Sequence, residues 1–146
     1  MNIQKVMVIG AGQMGSGIAQ VCAQAGYEVK LNDREEKFFE RGFQTISKNL
    51  SRNVEKGRMT EDDKQAVLNK ISKSLSINDA NDVDLVIEAA VENMEIKQSI
   101  FKQLDAIAPA HAILATNTSS LPITEIAAAT NRPEQVIGMH FMNPVP

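Results

Sequence analysis

At 146 residues, 43% hydrophobic and 23% charged, the chain has the size and composition of one soluble globular domain with a substantial hydrophobic core. Its net charge of −3 argues against nucleic acid as the main partner. No apolar run approaches the roughly 18–20 residues that span a bilayer, and the N-terminus enters a strand pattern with no signal-peptide core, so the expected location is the cytoplasm.

In chain order, short β-rich apolar runs alternate with helical patterns. The runs cover residues 5–9, 28–31, 71–75, 83–88, 112–116 and 135–140, and the helical patterns 14–25, 35–56, 61–69, 94–108 and 123–129. Several runs (VMVI, DLVIE, VIGMHF) are too apolar to have a solvent face, which suits a parallel sheet covered on both sides. This alternation predicts an α/β fold: a doubly wound, mostly parallel sheet. The crossover from Asp33 to about Ile71 is longer than one helix needs and reads as a helical excursion over about 35–70, turned by Gly57 and restarted at Thr60 as N-cap. The single cysteine, Cys22, falls among apolar helix residues and reads as core. The chain stops at Asn143-Pro144-Val145-Pro146, directly after an apolar strand, and reads as one domain, residues 1–146, cut from a longer protein.

The first strand-turn-helix is V-M-V-I-G-A-G-Q-M-G-S-G-I-A, residues 6–19. A bare G-x-G-x-x-G is a weak signal, but here a strand precedes it and an amphipathic helix follows. Gly10 permits the tight turn, Gly12 lets a pyrophosphate approach the backbone, and Gly15 lets helix and strand pack closely. The diphosphate then rests on the unpaired N–H groups and positive dipole end of the new helix. The motif calls for an acidic residue at the end of the second strand, and Asp33 stands there. Its carboxylate can accept hydrogen bonds from ribose hydroxyls and repels a 2′-phosphate, which favours NAD over NADP; Arg34, next in sequence, softens that preference. A plainer alternative is a nucleotide-free α/β protein in which Asp33 caps a helix.

Three downstream segments carry more: E-A-A-V-E-N-M-E-I-K (88–97), T-N-T-S-S-L-P-I (116–123) and G-M-H-F-M-N-P-V-P (138–146). Together with the glycine turn they closely resemble the L-3-hydroxyacyl-CoA dehydrogenases, especially the bacterial 3-hydroxybutyryl-CoA dehydrogenases, over the whole chain. Taken alone, His140 ends an apolar strand at the sheet edge where ligands bind, and a buried structural histidine is as good a reading as a catalytic one. Oxidising a secondary alcohol, however, needs a group to take the hydroxyl proton, and imidazole titrates in the useful range. The resemblance implies that His140 is this acid/base and that Ser119 hydrogen-bonds the 3-oxygen of the substrate. Its implied cofactor is NAD, held by Gly10, Gly12, Gln13, Met14, Gly15 and Asp33, with Glu92, Lys97 and Asn117 at the nicotinamide side. No metal site is expected.

The residues also admit blander readings. Ser120 suits a helix N-cap before Pro122, and Glu92 and Lys97 would otherwise be a solvated helix start. Lys48, Arg52 and Lys56 recur every four residues as a basic stripe. The resemblance places coenzyme A contacts on this excursion: Lys56 matches a lysine, and Asn49 stands where some relatives have a serine. It further implies an acyl-CoA substrate and a parent homo-oligomer assembled through a C-terminal helical domain absent here. The glutamate that orients the histidine lies about a dozen residues after it, beyond Pro146, so the fragment is expected to bind NAD with little turnover. The rivals are a non-catalytic NAD-binding module and a β-hydroxyacid dehydrogenase acting on free acids.

Overall fold

A computed structural model describes residues 2–89, 93–117 and 122–139. Its strands are β1 (Lys5–Ile9), β2 (Glu28–Asn32), β3 (Ile71–Ser74), β4 (Leu85–Glu88), β5 (Ile113–Thr116) and β6 (Val136–Gly138). The helices are α1 (Gln13–Gln24), α2 (Glu36–Glu55), α3 (Glu61–Asn69), α4 (Met94–Ile107) and α5 (Ile123–Ala127). The strands form a parallel sheet in the order β3-β2-β1-β4-β5-β6. Strand order reverses between β1 and β4, and the crevice beyond the carboxyl ends of these two strands is where a doubly wound sheet binds dinucleotides.

The unbroken apolar runs are explained by two cores. Alternate residues of one strand point to opposite faces: Val6 and Val8 join one core with Val29, Leu31 and Ile87, whereas Met7 and Ile9 join the other with Val86 and Leu114. The first face is covered by Ile18 and Ala19 of α1 and by Ile46 and Leu50 of α2; the second is covered by Phe101 and Leu104 of α4 and Ile126 of α5. Both faces of the central strands β1 and β4 are therefore dry.

The long second crossover forms as a helix pair. In α2 the buried positions Phe39, Gly42, Ile46 and Leu50 are spaced three or four apart, so they make one stripe facing the sheet. Gly57 (φ +73°) turns the chain, and Thr60 starts α3 with a reciprocal capping box to Asp63. Some boundaries differ from the sequence pattern. β4 begins at Leu85 instead of residue 83, because a short 3-10 turn at Ile77–Asp82, started by the Ser76 hydroxyl, uses up the preceding chain. β3 ends at Ser74, and Leu75, read as strand, is 44% exposed. β6 is three residues long. Cys22 is half-buried, and burial pushes its thiol up to about 11, which suits an unreactive packing role.

Candidate functional site

Where β1 ends, Gly10 takes a left-handed φ of +102°, which an L side chain rarely adopts, and its N–H donates to Asn32 O at 2.8 Å. The chain then reverses directly into α1. A side chain at Gly15 would put its Cβ 1.6 Å from Gly10 O, so only glycine lets α1 approach the turn. Gly12 differs: its φ is −73°, open to any residue, and a Cβ there would meet nothing within 4 Å. Neither backbone nor protein packing explains the residue, and the open space above it is where a bound group would touch the chain. Gly12 occupies the N-cap of α1 without a side-chain cap, which leaves the first N–H groups of the helix to an anion. This cradle fits a diphosphate.

Asp33 follows β2 and bridges back to the same turn. Its Oδ2 accepts from Ala11 N at 2.9 Å and its Oδ1 from Arg34 N at 2.8 Å. It does not cap α2, whose N-cap is Glu35. A carboxylate has about four acceptor sites, so two hydrogen bonds leave capacity for ribose hydroxyls. Gly10, Gly12, Gln13, Asp33 and Arg34 line a cleft of about 1070 Å³, closed on its apolar side by Leu75, Ile77, Ile96 and Ile100. Leu75 and Ile96 are among the exposed large hydrophobics, at 44% and 46%, and both face this cleft, an arrangement that suits a flat heterocycle.

The far lip of the crevice is built on β4 and β5. Lys97, expected at the nicotinamide side by resemblance and a solvated helix start on its residues alone, is 1% exposed and ion-paired with the fully buried Glu88, Nζ to Oε1 at 2.5 Å. Thr116 Oγ1 donates to the same carboxylate oxygen at 2.8 Å, and Asn117 N donates to Glu88 O at 2.9 Å. Helical wheel position decided against solvation: Lys97, Phe101 and Leu104 are the buried residues of α4. Glu88 was not singled out from sequence, although a charge directly after the apolar run Leu85-Val86-Ile87 was a readable signal, since such residues are rarely buried without a partner.

The remaining site residues fall as follows. Asn117 directly follows β5 and is half-buried. Gln13 and Met14 open α1, Gln13 exposed and Met14 half-buried. Asn49 Nδ2 donates to Gln20 Oε1 at 3.2 Å across the α1–α2 contact. Lys56 is the exposed C-cap of α2, and Lys48 and Arg52 are exposed on the same helix; none of these four lines the cleft. Glu92, Ser119 and His140 lie outside the described residues, as does Ser120. The N-cap of α5 is Pro122, without a side-chain cap. Among the described residues no helix is long and apolar enough to cross a membrane.

Comparison with known proteins agrees with this geometry. The family model described as 3-hydroxyacyl-CoA dehydrogenase, NAD binding domain, matches residues 5–146. The chain is 56% identical over 146 residues to a probable 3-hydroxybutyryl-CoA dehydrogenase of Bacillus subtilis, covering 100% of this chain and 51% of that protein. It is 52% identical over 144 residues to the 3-hydroxybutyryl-CoA dehydrogenase of Bradyrhizobium diazoefficiens, covering 99% and 49%. Among solved structures, the (S)-3-hydroxybutyryl-CoA dehydrogenase of Ralstonia eutropha superposes with a TM-score of 0.96 at 45% identity, covering 99% of this chain and 51% of that one. The chain thus spans about half the length of these relatives. A glycine cradle without a protein reason for Gly12, an acid bridging to it, and a match across nearly the whole chain converge: the chain belongs to the family of the NAD-binding domain of 3-hydroxyacyl-CoA dehydrogenases.

Proposed function

We propose that this chain is the NAD-binding half of an oxidoreductase that interconverts (S)-3-hydroxyacyl-CoA and 3-oxoacyl-CoA, with 3-hydroxybutyryl-CoA and acetoacetyl-CoA as the expected pair. The observation that carries the reading is the open cradle at Gly12 beside Asp33, in a chain of this family. The names of the relatives carry a CoA thioester, which favours such substrates over free acids.

Bound NAD supplies the hydride acceptor. The chain's own residues do the rest. Gly10, Gly12 and Gly15, with Gln13 and Met14, receive the diphosphate on the amino end of α1, and Asp33 accepts from the adenosine ribose. Glu92, Lys97 and Asn117 belong to the nicotinamide side. His140 takes the hydroxyl proton as the alcohol is oxidised and returns it in reduction, while Ser119 donates to the 3-oxygen. Lys56 and Asn49 serve the coenzyme A part; the Asn49 amide retains one N–H beyond its bond to Gln20. The parent enzyme is a cytoplasmic homo-oligomer in this reading, and the present chain binds NAD with little turnover.

Calorimetry with NADH and an acetoacetyl-CoA reduction assay test the two parts separately. NADH binding without appreciable turnover by this chain is the expected result, and absence of NADH binding refutes the reading. In the longer protein, His140→Ala is expected to lower turnover by about 10²–10⁴-fold; unimpaired turnover removes His140 from its role. Comparing a CoA thioester with its free acid checks the substrate class.

A further inference from the structure

The proposed chemistry makes no use of Glu88, although Glu88 and Lys97 are the most expensive pair in the described chain. Both are buried, at 0% and 1% exposure. Removing two opposite charges from water costs more than their attraction commonly returns, and an apolar pair of similar volume would serve stability as well or better. Stability alone therefore does not account for the pair.

Its place in the fold indicates what does. Glu88 lies opposite Ile9 of β1 and Thr116 of β5 in the sheet register, at the point where strand order reverses. Ala89 N donates to Ile9 O at 2.8 Å, and Asn117 N to Glu88 O at 2.9 Å. Its carboxylate receives Thr116 Oγ1 at 2.8 Å from β5 and Lys97 Nζ at 2.5 Å from α4. Glu88 and its neighbour Ala89 together therefore fix β1, β4, β5 and α4 to each other at the carboxyl edge of the sheet. In a doubly wound sheet the two halves of a dinucleotide divide at this reversal, the adenosine half over β1–β3 and the other over β4–β6.

Resting on the NAD reading above, we infer that Glu88 is a positioning residue for the nicotinamide half of the cofactor: its charge, held by Lys97 and Thr116, sets the β4–β5 edge against which that half is ordered. The adenosine half, which rests on Gly12 and Asp33, does not depend on it. Glu88→Gln keeps the size and one acceptor oxygen for Thr116, removes the charge and turns the other oxygen into a donor. Because it leaves Lys97 buried without its counter-charge, a second variant, Glu88→Asp, keeps the charge but withdraws it from Lys97 and Thr116, and guards against simple unfolding.

The experiment measures NADH affinity by fluorescence titration and ADP-ribose affinity by calorimetry, with thermal melting of each variant. NADH affinity is expected to fall at least about 10-fold in both variants while ADP-ribose affinity changes less than about 2-fold, since only NADH carries the nicotinamide ring. A parallel loss of both ligands, an unchanged NADH to ADP-ribose ratio, or unfolding of both variants makes the pair part of the structural core and overturns the inference. Failure of the unsubstituted chain to bind either ligand is a different result: it refutes the NAD reading itself.

Discussion

Two glycines three residues apart separate folding from binding. At Gly15 an added methyl group would overlap Gly10 O, so Gly15→Ala should force α1 off the turn, costing about 3 kcal/mol as severe overpacking does and lowering the melting temperature by roughly 10 °C for a domain of this size. At Gly12 the same substitution meets nothing within 4 Å and an ordinary φ. Gly12→Ala should melt at or slightly above the parent temperature yet bind NADH at least about 10-fold more weakly. Scanning fluorimetry with and without NADH reads both effects, and a Gly12→Ala variant with parental affinity would show that the cradle is not a ligand surface. Both glycines were legible in sequence because the motif fixes their spacing. Their different reasons were not, since these depend on which backbone atom lies opposite each one.

Among the elements, α4 is secured at its end by a residue far along the chain. Arg132 is 9% exposed and spreads its guanidinium over Asp105 Oδ1 and the carbonyls of Asp105, Ala108, Pro109 and Ala112 at 2.6–3.3 Å. These include carbonyls at the C-terminal end of α4, where intrahelical partners run out and a cation opposes the helix dipole. Lysine cannot reproduce that fork. Arg132→Lys should therefore destabilise the chain by about 2–3 kcal/mol through unmet buried carbonyls, measured by denaturant unfolding, while NADH binding to the remaining folded protein stays within about 2-fold. The capping box of α3 could be read from Thr60 alone because its partners are three residues apart. The Arg132 clamp could not, since its acceptors lie 20–27 residues away.

For the whole molecule, the edge of the sheet remote from the cleft is held by Asp84. Its carboxylate accepts from Gln4 N at 2.9 Å, Lys5 N at 3.0 Å and pairs with His111 Nε2 at 2.7 Å. The Gln4 N–H, then His111, then the Lys5 N–H pull it from 3.8 down to about 2. A carboxyl depressed in the folded state contributes stability that is present above its unfolded value and lost as pH falls through the folded one. Stability should accordingly decline between pH about 4 and about 2, and Asp84→Asn should flatten that limb of the stability–pH curve. A limb unchanged in Asp84→Asn would assign the acid sensitivity to other carboxyls.

Length, composition and the alternation of apolar runs determined the fold class by themselves, because a parallel sheet covered on both faces forces a pattern that sequence displays. The glycine turn and the helical excursion broken at Gly57 and Thr60 were likewise local, set by residues near one another in the chain, and the glycine motif fixes the spacing at which Asp33 is sought. Tertiary structure alone decided the state of Lys97. Its neighbours in sequence describe a helix start open to water, but the orientation of α4 turns it onto β4, where Glu88 and Thr116 await it. It also decided that Gly12 faces open space. A contact between distant residues leaves no periodic trace along the chain; it exists only once the strands and helices that carry those residues have been placed.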